Sequence, residues 1–157
     1  MKTHIRLFSF FLPVVGCCLF FSSCGWFETS DNGDLDGFWH LERVDTLATN
    51  GMRNLSESRL FWGVQYKLIN LQDADGSNAN LYLRFAHEGN SLILSHPYIN
   101  QWHENDEGTG GDVPTEDIEL LRPYGINHLE ESFVVEKLSD SKMILRSETL
   151  RLYFYKF

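Results

Sequence analysis

From residue 37 onward, apolar and polar residues alternate mostly with the period of strands rather than of helices. Trp39, Leu41 and Arg43 alternate with His40 and Glu42 across Phe38 to Val44, which predicts an edge-like first strand. Leu60 to Leu71 admits a helical drawing through Leu60, Val64, Leu68 and Leu71. Against that, Phe61, Trp62, Tyr66 and Ile69 favour strand, and Gly63 would cost a helix interior about 1 kcal/mol. The stretch is therefore expected as one long strand bent near Gly63.

Asp73 to Asn78 has turn composition, and Leu81-Tyr82-Leu83-Arg84-Phe85 alternates cleanly after it. Glu88-Gly89-Asn90 turns the chain again into Ser91 to Ser95, as in successive hairpins. The C-terminal part repeats the habit: Phe133 to Glu136, a turn at Ser139-Asp140-Ser141, Met143 to Leu145, then Leu150, Leu152 and Phe154 opposite Arg151, Tyr153 and Tyr155. Only Asn100 to Ile126 lacks the alternation over a long stretch; Thr115 is expected to cap a short helix carrying Ile118, Leu120 and Leu121, stopped by Pro123 and Gly125. The fold class is thus all-β, with about seven antiparallel strands and one short helical insert. Strands of this kind with one buried face close most economically into a barrel or sandwich, which removes exposed edges.

The chain before the strands carries an address. Lys2 and Arg6 precede an apolar run from Leu7 to Ser23, the charged-then-apolar order of an export signal. The run contains Pro13 and falls short of the roughly 20 apolar residues a membrane span needs. Cys24 after Ser22-Ser23 resembles the acylated cysteine of bacterial lipoprotein signals, although Phe21 stands where that family usually has Leu. Val14-Val15-Gly16-Cys17 satisfies the same short pattern, but cleavage there would leave the apolar Cys18 to Phe21 on the mature protein. Three segments follow: residues 1–23 as lipoprotein signal peptide, 24–36 as flexible tether and 37–157 as the folded domain. The resemblance implies a diacylglyceryl thioether and palmitate on Cys24, hence a lipid-anchored cell-envelope protein. Gly25 in place of Asp favours the outer membrane.

Charge and cysteine usage narrow the function. The formal net charge is −9, and removing residues 1–23 takes away two basic groups and no acid. Such a chain offers little counter-charge to phosphate backbones or anionic lipid headgroups, so no nucleic-acid partner is expected and a polybasic membrane contact is disfavoured. All three cysteines lie at or before position 24, so the domain has no disulfide. His40, His87, His96, His103 and His128 fit no metal motif, and no cofactor or catalytic residue is assigned. Phe85 to Leu121 contains no Lys or Arg but eight carboxylates, a field that attracts cations without matching a calcium loop. Paired carboxylates also serve glycoside hydrolysis, but their separation is not encoded in sequence; whether the chain is an enzyme stays open, with non-enzyme favoured.

Gly37-Phe38-Trp39 resembles the Gly-x-Trp signature of lipocalins, in which the Trp closes one end of the barrel. With the tract Phe61 to Leu68 and the closing Lys142 to Leu145 and Leu150 to Phe157 hairpin, the domain is similar to small bacterial lipocalin-like lipoproteins, a family largely without assigned function. The resemblance implies a lipocalin-like antiparallel up-and-down barrel of about 7–8 strands spanning 37–157. It also implies an arginine stacked on Trp39, to be sought at Arg146 or Arg151. The insert is long for such a barrel. The expected function is binding of a small apolar or amphipathic ligand. The competing expectation is a protein- or glycan-interaction module of the envelope acting through the acidic, aromatic insert 100–126. Candidate ligand-contacting residues are Trp62 and Tyr66 on the long strand, and Tyr98, Trp102 and Tyr124 in or beside the insert.

Overall fold

A computed structural model describes residues 30–101 and 111–157. Its strands are β1 (Gly37–Thr46), β2 (Gly51–Asn54), β3 (Leu60–Gln65), β4 (Leu68–Asp73), β5 (Leu81–Glu88), β6 (Ser91–Ile99), β7 (Val113–Pro114), β8 (Glu131–Leu138), β9 (Lys142–Arg146) and β10 (Leu150–Lys156). Hydrogen bonding runs β10-β9-β8-β6-β5-β4-β3-β1, and β1 pairs back onto β10. Every pairing is antiparallel, so these eight strands close into an up-and-down barrel. The short β2 and β7 extend the pairing of β1 and β6 beyond the closed wall.

Trp39 and Leu41 on β1, Trp62 and Val64 on β3, Ile69 and Leu71 on β4, and Leu152 and Phe154 on β10 all point inward and are buried. Their outward neighbours include Arg43, Gln65, Leu68, Arg151 and Tyr155. The lumen is therefore packed with the protein's own side chains, as a small barrel requires. Three bulges adjust the register, at Leu41/Arg43, at Tyr82/Arg84 opposite β6, and at Val135/Lys137. Each inserts one residue and keeps the apolar set on the inner face.

Both ends are stoppered. At the end where β1 begins, Gly33–Leu35 forms a 3-10 turn that buries Leu35, and the Trp39 indole N–H donates to the Leu35 carbonyl at 2.8 Å. Lys156 Nζ stands 4.6 Å from the centre of the Trp39 ring and donates to the carbonyls of Asp34 and Asp36. The cation over Trp39 is thus Lys156; Arg146 and Arg151 instead share Glu136 on the outer wall. At the far end, two 3-10 turns, Ile118–Leu120 and Arg122–Tyr124, stand where one short helix was expected. Asp117, rather than Thr115, caps the first by accepting from Glu119 N–H. Leu121, Tyr124 and Ile126 from this stretch enter the core.

The expected single strand over Leu60 to Leu71 is in fact a hairpin, β3 and β4, joined by Tyr66-Lys67 between the paired Gln65 and Leu68. Tyr66 takes φ +55° there, a conformation normally left to glycine or asparagine. Ser30 and Asn32 hold it: Tyr66 N–H donates to Ser30 Oγ at 2.7 Å, and Asn32 Nδ2 donates to the Tyr66 carbonyl at 2.7 Å. The segment Ser30–Asp36, assigned to the tether by composition, lies against the barrel at these contacts. The closed wall and both end stoppers are complete within the described residues 30–101 and 111–157, so this part has its own core.

Candidate functional site

The register assembles a row of outward positions across five strands. Phe38 faces Gly63, Gly63 faces Asn70, Asn70 faces Tyr82, and Tyr82 faces Tyr98. Gly63 has no side chain, so the row is notched there. A methyl group at Gly63 would meet Phe38 Cδ2 at 3.4 Å and Asn70 Cβ at 3.7 Å, ordinary contacts, so the floor is open rather than crowded. Phe38 is steadied by stacking on Phe61 at a centroid distance of 4.5 Å.

Around this notch lies a concavity of about 720 Å³ on the outer wall. Phe38, Gly63, Leu68 and Tyr82 give it apolar surface, with Gln65 and Asn70 between them, and Ser30 and Asp36 form the edge next to Tyr66. The volume falls in the range of small-molecule sites. Asp36 accepts from Ser30 Oγ at 2.6 Å, from Asn32 N–H at 3.0 Å and from Asn32 Nδ2 at 2.7 Å. Partial burial pushes the Asp36 pKa up, but these hydrogen bonds and the Lys156 charge outweigh it and hold the carboxyl below its ordinary value. Asp36 is an ionised, internally bonded edge group at neutral pH, so the groove offers mainly uncharged surface.

Of the sequence-derived candidates, Tyr66 lines this groove. Tyr98 is half-buried one strand beyond Tyr82 and outside the lining. Trp62 points inward and is fully buried, with its ring 4.9 Å from Phe154 and 6.0 Å from Phe133. Its indole nitrogen finds no acceptor among the described residues. Tyr124 is no rim residue: it is fully buried, and its hydroxyl donates to the Ala79 carbonyl at 2.7 Å. Burial, and secondarily the negative charge of Asp73, push its pKa up. Trp102 and Cys24 lie outside the described residues. Phe38, Gly63, Leu68, Asn70 and Tyr82 escaped the sequence reading, since only the inter-strand register brings them together.

Other polar clusters have structural roles. Asp73 is buried and accepts from the backbone N–H groups of Asp75, Ser77 and Asn78 and from Asn78 Nδ2, which fixes the β4–β5 loop. Burial alone would raise its pKa; the hydrogen bonds prevail and lower it. Buried Glu131 likewise accepts from Asn127 N–H and contacts His128 Nδ1. Among the described residues no cluster of three or more His, Cys, Asp or Glu is placed to hold a metal ion, and no helix is long and apolar enough to cross a membrane.

Comparison with known proteins adds the lineage. The sequence profile of the lipocalin-like domain matches residues 18–157. The crystal structure of a lipocalin-like protein from Bacteroides uniformis superposes with a TM-score of 0.57 at 20% identity, covering 80% of this chain and 100% of that one. The crystal structure of an uncharacterized protein from Bacteroides eggerthii gives 0.51 at 20% identity, covering 78% of this chain and 98% of that one. At such identity the likeness extends to the fold alone. No curated protein matches the chain.

Proposed function

The chain belongs to the lipocalin-like domain family, and on that premise we propose that it is a lipid-anchored protein of the cell envelope that binds a small apolar or amphipathic molecule. The anchoring part rests on the order Lys2, Arg6, Leu7 to Ser23, Cys24, and the outer membrane is the favoured address. The observation that carries the binding part is the groove at Gly63, an apolar-floored concavity with amides at its sides. The ligand sits on the outer wall, because Trp39, Trp62, Phe133 and Phe154 occupy the lumen and both ends are stoppered. Apolar area is what such a site exchanges for water, and Gln65 and Asn70 supply orientation for an uncharged head group.

Two experiments test the parts separately. Displacement of the apolar fluorophore N-phenylnaphthylamine by octyl glucoside is expected in the wild type. Gly63→Val, which fills the floor, lowers the fluorophore affinity about tenfold, equal to about 1.4 kcal/mol of lost binding, whereas Met52→Ser leaves it unchanged. Equal affinity in both variants refutes the site. For the anchor, Cys24→Ala abolishes incorporation of labelled palmitate and releases the protein from the membrane fraction; retained label refutes it.

A further inference from the structure

The barrel's two ends differ in which charges and which exposed rings they carry. The end where β1 begins collects the β3–β4, β5–β6 and β8–β9 turns, the Ser30–Asp36 segment and the C-terminus of β10. All four lysines of the described residues belong to it: Lys67 in the β3–β4 turn, Lys137 near the end of β8, Lys142 opening β9 and Lys156 closing β10. The exposed aromatic side chains of the described residues number three, Tyr66, Tyr155 and Phe157, and all are on the same end. Phe157 is 87% exposed, at an edge-on 5.8 Å from Phe61, which in turn stacks on Phe38 of the groove. Leu68 is exposed beside Tyr66, and Tyr155 is the cross-strand partner of Lys142. The remaining exposed large apolar residues, Met52, Ile93, Val113, Leu129 and Val134, are aliphatic and lie at the far end or on the opposite wall.

The opposite end is acidic. Asp75, Asp112, Glu116, Asp117, Glu119 and Glu148 stand on its loops, where Arg59 and Arg122 are already engaged by Asp75 and Glu119. The lysine-bearing end has carboxylates of its own at Asp31, Asp34, Asp36, Glu88 and Asp140, so it is near balance rather than basic. The contrast between the ends, more than the sign of either, orients the molecule in a field: an anionic surface repels the acidic end and leaves the lysine end inward. Tyr and Phe beside Lys are the side chains that settle at the boundary of headgroups and acyl chains.

We infer that the flank formed by Tyr66, Leu68, Tyr155 and Phe157 with Lys67 and Lys142 is a docking face for an anionic phospholipid surface, which sets the mouth of the groove against the bilayer. Ser30, the first described residue and six residues after Cys24, bonds to Tyr66 on this flank, so the inference rests on the anchoring reading and extends it by fixing which side lies down. An anchor alone holds the domain near the membrane in any orientation; this face selects one and gives the groove access to amphiphiles that reside in the lipid.

The test replaces the acyl anchor so that the two readings fail separately. Residues 30–157 with an N-terminal hexahistidine tag are held on vesicles of phosphatidylglycerol, phosphatidylcholine and a nickel-chelating lipid. The domain has no cysteine, so single labels are unambiguous at Ser141→Cys beside Lys142, at Asn90→Cys on the same end but across the barrel, and at Glu148→Cys on the acidic end. Lipids carrying a nitroxide near the headgroup quench a fluorophore in contact with them. The Ser141 label is expected to be quenched severalfold more than the other two, and Lys67→Glu with Lys142→Glu and Phe157→Ser brings it to their level while the urea midpoint stays in place. Equal quenching at all three sites in the unaltered face, or no response to the triple substitution, overturns the inference. Loss of palmitate labelling dependence on Cys24 would overturn only the anchoring reading.

Discussion

Replacing Gly125 with alanine perturbs two features at once, and both magnitudes can be worked from the geometry. Gly125 ends the Arg122–Tyr124 turn at φ +84°, where a side chain costs about 1–2 kcal/mol. A methyl group there would meet Leu152 Cδ2 at 2.6 Å and Cδ1 at 3.1 Å, and Leu152 is fully buried in β10 with no outward escape. Overpacking of that kind costs about 1–3 kcal/mol, so Gly125→Ala should destabilise the barrel by about 2–5 kcal/mol in all. Urea unfolding followed by tryptophan fluorescence measures it. The double variant with Leu152→Ala separates the parts: it relieves the contact but not the backbone cost, so the two substitutions together cost about 1–3 kcal/mol less than their sum. A Gly125→Ala protein within about 0.5 kcal/mol of wild type, or strict additivity with Leu152→Ala, refutes the view that this turn is clamped onto the lumen.

Further outcomes follow from the same packing. Tyr124→Phe removes the bond to the Ala79 carbonyl and should cost about 1–2 kcal/mol in urea unfolding; no loss would mean that the hydroxyl is solvated. Asp36, Asp73 and Glu136 all have carboxyls held below their ordinary values. Their contribution is full above the unfolded carboxyl pKa of about 4 and is lost as pH falls through the lower folded values. The thermal midpoint should therefore drop on acidification below about pH 4, and Asp73→Asn should flatten that drop; an unchanged profile contradicts the assignment. Lys156→Met should weaken the closed end by removing the bonds to the Asp34 and Asp36 carbonyls, read as faster hydrogen exchange at the Trp39 indole.

Much of the wall was legible because strands with one wet face print their period on the sequence. The Gly89-Asn90 turn was visible, since glycine supplies the φ +60° that a two-residue hairpin needs. Tyr66 does the same work at φ +55° without a glycine, held by Ser30 and Asn32 from outside the hairpin, so the β3–β4 turn read as continuous strand. The insert hid its role for a similar reason. Leu121, Tyr124 and Ile126 reach the core by closing an end rather than forming a wall, and closing an end leaves no period. Leu35 was a faint clue, a lone apolar residue in a polar tract four places before Trp39, whose indole it receives. The groove was the least legible, because Phe38, Gly63, Asn70 and Tyr82 are neighbours only through three registers.

On the proposed reading, the barrel keeps its lumen for itself and presents its ligand surface outside. Nitrogen-proton correlation spectra of residues 30–157 titrated with octyl glucoside below its micelle concentration test that claim directly. Shifts are expected at the backbone amides of Phe38, Gly63, Asn70 and Tyr82, with the Trp39 and Trp62 indole signals fixed. Movement of the Trp62 indole with a silent Gly63 amide would place the ligand inside the barrel and contradict it.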